Sequence, residues 1–273
     1  MIHNIIDIWE KGKYAGAGND GFKPVLHTYI LNGAKKRGCV LICPGGGYGM
    51  TSEREAEPIA LQFNAAGFHA AVLYYSVSPR RHPQPLLDVS RAMSIIRGHA
   101  GDWNIFSDKI AVCGFSAGGH LAGSLGVHWK KPYISKNAGI PAGSNRPDAL
   151  ILCYPVITSG EFAHRGSFEN LLGPGADPAL QDEMSLERQI SADTPPAFLW
   201  HTFNDESVPV ENSLLFAEGM RKKKIPFELH IYPNGPHGLS LATAETDDGG
   251  MGSHPHVATW MNLCTEWLSQ IFG

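Results

Sequence analysis

The sequence has no apolar run approaching the ~20 residues that a membrane-crossing helix requires, so no span is expected. Its first residues, Met1-Ile2-His3-Asn4-Ile5-Ile6-Asp7, lack a basic segment followed by a long apolar one, and no signal peptide is expected. No Cys-x-x-Cys pair occurs, which leaves no thiolate pair for zinc. The five cysteines are few and odd in number. Cys39, Cys43, Cys113 and Cys153 lie in strand-like apolar runs, and Cys264 lies in a helical pattern. They read as buried free thiols of a protein in a reducing compartment, so a cytoplasmic location is expected. Charge of one sign does not accumulate either: the net charge is −4 and the longest basic run is Arg221-Lys222-Lys223-Lys224. That run reads as the cation-rich end of a helix, favoured by the helix dipole. Neither nucleic acid nor an acidic membrane surface is an expected partner. There is no internal repeat and no low-complexity tract.

What remains is an ordinary globular composition: 273 residues, 43% apolar and 18% charged, long enough to bury a large core without staples. Short apolar runs rich in β-branched residues alternate with helical patterns. Strands are expected over residues 25–31, 39–43, 68–75, 109–115, 149–154, 197–201 and 227–232. Helices are expected over 53–66, 85–97, 117–129, 208–223 and 255–272. Strand alternating with helix predicts an α/β fold with a mostly parallel central sheet and helices on both faces. One domain is expected over residues 1–273. Residues 158–194 break the rhythm, being rich in Gly, Pro, Ser and charge. They read as a short cap-like insertion over the mouth of the sheet, with a short helix near 168–172.

Gly114-Phe115-Ser116-Ala117-Gly118 fits Gly-x-Ser-x-Gly at a strand-to-helix turn. A sharp turn there lifts the serine hydroxyl clear of the sheet, and the flanking glycines leave room for strained backbone and close helix packing. A serine hydroxyl is a poor nucleophile near neutral pH, so it needs a base, and the base needs an orienting carboxylate. With Ser116 as nucleophile, the acid and then the histidine are expected downstream, each on a loop after a late strand. Asp205 follows the strand over 197–201. Glu206 competes, but the shorter carboxylate suits a fixed bond to imidazole. His237 lies in Pro233-Asn234-Gly235-Pro236-His237-Gly238, after the last strand, and is the expected base. His120 reads as a packing residue that hydrogen-bonds beneath the site, and His201 as a satisfied core histidine. His254 and His256 lack a carboxylate spaced to complete a metal site with His237.

Attack on a carbonyl makes an oxyanion, which needs preorganised N–H donors. One expected donor is Ala117. The other is Gly46 or Gly47, in the loop Pro44-Gly45-Gly46-Gly47-Tyr48-Gly49. That loop fails as a dinucleotide or phosphate motif at Met50 and Ser52. Tyr48, Tyr75, Tyr154 and Phe162 are candidate aromatic walls for a substrate pocket.

Together these stretches resemble the esterase/lipase branch of the α/β-hydrolases, over residues 25–270, and within it small acetyl-xylan-esterase-like carbohydrate esterases. The resemblance also rests on Gly119-His120-Leu121-Ala122, Pro195-Pro196-Ala197-Phe198-Leu199-Trp200-His201, Glu206-Ser207-Val208-Pro209 and Gly238-Leu239. Lipase-like relatives carry His-Gly-Gly-Gly at the oxyanion loop. Pro44 stands at the first position here and leans the comparison toward sugar esters. The resemblance implies the α/β-hydrolase fold and removal of short acyl groups, chiefly acetyl, from carbohydrate or small alcohol esters. It implies no metal or cofactor and no partner beyond a small-molecule ester such as an acetylated oligosaccharide. A homo-oligomer is left open. A peptidase or other acyl hydrolase on the same triad, and a catalytically silent binding module, are the alternatives.

Overall fold

The computed structural model describes residues 1–16, 20–247 and 250–273. Its centre is a sheet of eight strands: β1 (Ile5–Asp7), β2 (Val25–Tyr29), β3 (Arg37–Cys43), β4 (His69–Tyr74), β5 (Ile105–Phe115), β6 (Ala149–Cys153), β7 (Ala197–Thr202) and β8 (Phe227–Tyr232). The spatial order is β1-β2-β4-β3-β5-β6-β7-β8. β1 and β2 join antiparallel, β2 pairs antiparallel with β4, and every later pairing is parallel. Parallel neighbours need crossovers, and helices supply them. The crossovers contain α1 (Glu57–Ala65), α2 (Gln84–Gly98), α3 (Ser116–His128), α4 (Pro132–Ala138), α5 (Arg165–Leu172), α6 (Pro178–Glu183) and α7 (Glu211–Lys222), and α8 (Pro255–Ala258) and α9 (Trp260–Phe272) follow the last strand.

Alternation along the strands divides the core in two. Cys39 and Leu41 of β3 pack with Val89 and Met93 of α2, Leu121 of α3 and Phe216 of α7. Val40 and Ile42 pack on the other face with Ile59 and Phe63 of α1 and Trp260 and Leu268 of α9. The central strands are buried on both faces, which is why they read as unbroken apolar runs.

Several expected elements are divided or lengthened. The helix expected over 53–66 is a 3₁₀ turn at Glu53–Glu55 followed by α1. Pro58 explains the break: it has no N–H to bond an earlier carbonyl and suits the first turn of a helix. The helix expected over 255–272 breaks at Thr259 into α8 and α9. β5 starts at Ile105, where it pairs with Arg37 before a register shift. β1, α4 and α6 are short, and the sequence reading assigned none of them.

Residues 158–194 contain α5, α6 and a 3₁₀ turn at Leu186–Arg188. α5 covers the helix expected near 168–172 and starts one turn earlier, where the His164 ring accepts from the Ser167 N–H. The segment is tied down at both sides. The Leu186 N–H donates to the Ile157 carbonyl, and the His82 N–H to that of Leu171. The five cysteines are buried and unbridged.

Candidate active site

β5 runs straight into α3, and Ser116 at the junction has φ +51°. A non-glycine residue in that region is strained, and such strain persists only where surrounding contacts over-determine it. The contacts here are severe. A Cβ on Gly118 would lie 2.1 Å from the Cys43 carbonyl oxygen and 2.3 Å from that of Pro44. A Cβ on Gly114 would lie 2.1 Å from the Gly118 carbonyl oxygen. The two glycines therefore let α3 press against the ends of β3 and β5, which thrusts Ser116 outward.

The loops after β7 and β8 meet Ser116 there. His237 Nε2 lies 2.8 Å from Ser116 Oγ, and His237 Nδ1 lies 2.6 Å from Asp205 Oδ2. An ionised carboxylate only accepts, so Nδ1 carries the proton and Nε2 is free to accept from the serine hydroxyl. The second oxygen, Asp205 Oδ1, accepts from the Ser207 and Val208 N–H groups at 2.9 Å each. His201 Nε2 approaches Oδ2 at 3.4 Å while donating to the Val208 carbonyl at 2.9 Å. Burial alone would raise the Asp205 pKa. The bonds from His201 and His237, the charge of His237 and the Val208 N–H outweigh it, holding the carboxyl well below the usual carboxylate range. Asp205 is 6% exposed, whereas neighbouring Glu206 is exposed.

The glycine loop lies directly against the serine. A Cβ on Gly45 would come within 3.0 Å of Ser116 Cβ. Gly46 has φ +124°, and a Cβ there would strike the Met50 carbonyl at 2.3 Å, so the turn demands glycine. The Gly45 N–H is already committed to Glu55 Oε2 at 2.7 Å. Among the described residues, neither the Gly46 nor the Gly47 N–H donates to a protein acceptor. Ala117 is the first residue after Ser116 in α3, where N–H groups have no intrahelical partner. Asn170 of α5 donates to the Gly47 carbonyl at 2.9 Å, so the 158–194 segment braces this loop.

The profile of the BD-FAE family matches residues 28–220. The chain belongs to the BD-FAE family. This BD-FAE chain is similar to the endo-1,4-beta-xylanase B of Butyrivibrio fibrisolvens, at 43% identity over 90% of this chain and 39% of that protein. It is similar to an acetylxylan esterase of Xylanibacter ruminicola at 33% identity, over 73% of this chain and 40% of that protein. The chain thus spans about two fifths of the length of these curated relatives. Among solved structures, the acetyl ester-xyloside bifunctional hydrolase of Caldicellulosiruptor lactoaceticus superposes with a TM-score of 0.89 at 43% identity, over 98% of this chain and 96% of that one. Fold and family place this BD-FAE protein among the α/β-hydrolases.

The expected aromatic pocket is not what the structure builds. Tyr48, Tyr75 and Tyr154 are buried, and their hydroxyls bond inward to His120 Nδ1, the Pro44 carbonyl and Glu55 Oε1. A ring so enclosed cannot stack on a sugar. Tyr154 instead stands edge-on to the His237 imidazole, with centroids 5.1 Å apart. Phe162 is half-buried and lines a separate cleft with Glu187, Arg188 and Leu215. His120 donates from Nε2 to the Met184 carbonyl at 2.9 Å, beneath the glycine loop, and burial lowers its pKa to about 4. An open cleft of about 450 Å³ adjoins His237, with Asn204, Glu206, Asn234 and His254 on its walls. The sequence reading missed Glu55. Glu53, Glu55 and Glu57 look alike in the chain, and only the 3₁₀ turn sends the middle one inward.

Proposed function

We propose that this protein is a serine carboxylesterase that removes short acyl groups, acetyl foremost, from carbohydrate or small alcohol esters. The observation that carries the reading is the unbroken line from Asp205 through His237 to Ser116 Oγ, beside the Gly46 and Gly47 N–H groups, which meet no acceptor among the described residues. In this mechanism His237 Nε2 takes the Ser116 proton as Oγ attacks the ester carbonyl carbon. Asp205 holds the imidazole and balances its new positive charge. The Ala117 N–H and that of Gly46 or Gly47 receive the oxyanion, where losing one donor costs roughly 10²–10³ in kcat. The tetrahedral intermediate collapses, and the alcohol leaves with the proton from His237. Water, deprotonated by His237, then cleaves the acyl-enzyme, releasing the acid and restoring Ser116.

The acetyl and sugar components are supported by relatives named for acetylxylan and acetyl ester-xyloside hydrolysis and by polar groups around the cleft at His237. A single hydrolase unit over residues 1–273 fits the continuous sheet. Five buried, unbridged thiols fit a reducing cytoplasm. The deciding experiment compares specificity constants for an aryl acetate, acetylated xylo-oligosaccharides and acetylated manno-oligosaccharides, in wild type and Ser116→Ala. Ester turnover lost in Ser116→Ala and highest on an acetylated oligosaccharide supports the reading. Wild type inert toward all three esters, or a Ser116→Ala variant as active as wild type, would overturn it.

A further inference from the structure

Glu55 carries a buried carboxyl that takes no part in this mechanism. Glu55 is 4% exposed and lies between the two loops that must cooperate. Its Oε2 accepts from the Gly45 N–H at 2.7 Å, and its Oε1 accepts from the Tyr154 hydroxyl at 2.6 Å. The Tyr154 oxygen in turn accepts from the Ser240 N–H at 2.9 Å. Ser240 is three residues beyond His237. One carboxyl therefore links the glycine loop to the histidine loop in two steps.

Arg54 reinforces the same bridge. Its guanidinium donates to the carbonyls of Gly238 at 3.0 Å and Thr246 at 2.6 Å, and its own carbonyl accepts from Ser240 Oγ at 2.6 Å. Two members of the network hold strained backbone: Tyr154 has φ +35° and Ser240 φ +54°. Neither conformation is favourable for such residues, so external bonds must hold them. Tyr154 also presents its ring edge-on to His237. Gly45 packs so closely on Ser116 that any shift of its backbone alters how the following N–H groups face the serine oxygen.

We infer that Glu55 is a positioning residue, which sets the distance between the oxyanion loop and the His237 loop by accepting from Gly45 and Tyr154 at once. The inference rests on the esterase reading. A carboxyl suits the task because it has two acceptor oxygens and can face donors on both sides. Glutamine can keep its carbonyl toward Gly45 and turn its amide toward the Tyr154 oxygen, preserving one bond and replacing the other. Alanine loses both.

The test measures kcat and KM on an aryl acetate for Glu55→Ala, Glu55→Gln and Tyr154→Phe, with thermal unfolding of each. Affinity for an alkylboronic acid is measured alongside, since its tetrahedral serine adduct puts an oxygen where the oxyanion would sit. Glu55→Ala should lower kcat about 100-fold with KM within about twofold, and weaken the boronate by a similar factor. Glu55→Gln should recover to within about tenfold of wild type, and Tyr154→Phe should fall between. If Glu55→Ala does not fold, the Glu55→Gln and Tyr154→Phe variants carry the test through the same kcat-against-KM split. Folded variants with wild-type kcat and boronate affinity, beside an inactive Ser116→Ala, would overturn the inference and leave the esterase reading intact. An active Ser116→Ala would instead remove the reading beneath it.

Discussion

The Asn170 side-chain amide donates a hydrogen bond to the Gly47 carbonyl at 2.9 Å, joining positions 123 residues apart. The bond fastens α5, from the segment that interrupts the strand–helix rhythm, to the loop proposed to receive the oxyanion. The peptide plane fixed by that bond carries the Tyr48 N–H and is joined to the Gly47 N–H through a single Cα.

Removing that brace should reduce catalysis while the protein stays folded. Asn170→Ala forfeits one hydrogen bond, about 1 kcal/mol net. We expect kcat/KM on an aryl acetate to fall about fivefold, with less than about 1.5 kcal/mol lost in urea unfolding. Asn170→Asp, which cannot donate, should do no better. Unchanged kinetics in both variants would show that α5 does not order the loop.

Gly118→Ala should damage the elbow. The new Cβ meets two backbone carbonyl oxygens, which cannot rotate away as a side chain could. Overpacking of this kind costs about 1–3 kcal/mol, and here it also displaces Ser116. A lowered Tm together with loss of most esterase activity is expected. A variant with wild-type Tm would mean that β3 and α3 separate more easily than their packing implies.

Asp205→Asn separates orientation from packing. The variant can keep one oxygen for the Ser207 and Val208 N–H groups while presenting an amide toward His237 Nδ1. The imidazole is then driven to the wrong tautomer, and kcat should fall about 10³–10⁴-fold with KM little changed. Steady-state kinetics with a circular dichroism control would check it. A loss below tenfold would point to another group orienting His237.

Stability should fall as the solution is acidified from neutrality. Burial lowers the pKa of His82 to about 4, His120 to about 4 and His128 to about 3. Unfolded histidines titrate near about 6.5, so below that pH the unfolded chain binds more protons and is favoured. Asp88, raised to about 6 by burial, and Glu55, also raised by burial, act in the opposite sense. These keep protons in the fold that the unfolded chain releases, and their stabilisation is lost as pH rises. The histidines outnumber them, so urea unfolding near pH 5 should show an uptake of roughly one to two protons, or about 1.4 kcal/mol per pH unit for each. His128→Gln, which can still donate to the Glu183 carbonyl, should reduce that uptake by about one. Stability that stays level from pH 7 to pH 5 would contradict the balance.

Much of the architecture was legible because central strands and amphipathic helices advertise themselves locally. Runs such as Cys39-Val40-Leu41-Ile42-Cys43 and Ala149-Leu150-Ile151-Leu152-Cys153 have no polar residue to place on a solvent face, and both became inner strands of the parallel sheet. The breaks were harder to place. Pro58 divides a region whose apolar spacing is helical throughout, and β1 is too short to show alternation. The strand-end tyrosines illustrate a different limit. A tyrosine beside a site can offer its ring to a ligand or turn its hydroxyl inward, and the local sequence is the same in both cases.

The sequence by itself determined the α/β class, the strand-to-helix turn at Ser116, and the placing of Asp205 and His237 on loops after late strands, because period and turn chemistry are local properties. Only the tertiary structure decided that these three side chains come within hydrogen-bond reach, that Gly45 gives its N–H to Glu55 while the Gly46 and Gly47 N–H groups meet no acceptor among the described residues, and that three candidate pocket tyrosines are internal struts. Those facts depend on contacts between separate segments, from ten residues apart for Gly45 and Glu55 to 121 for Ser116 and His237, set by how the sheet, α3 and the Glu53–Glu55 turn pack together.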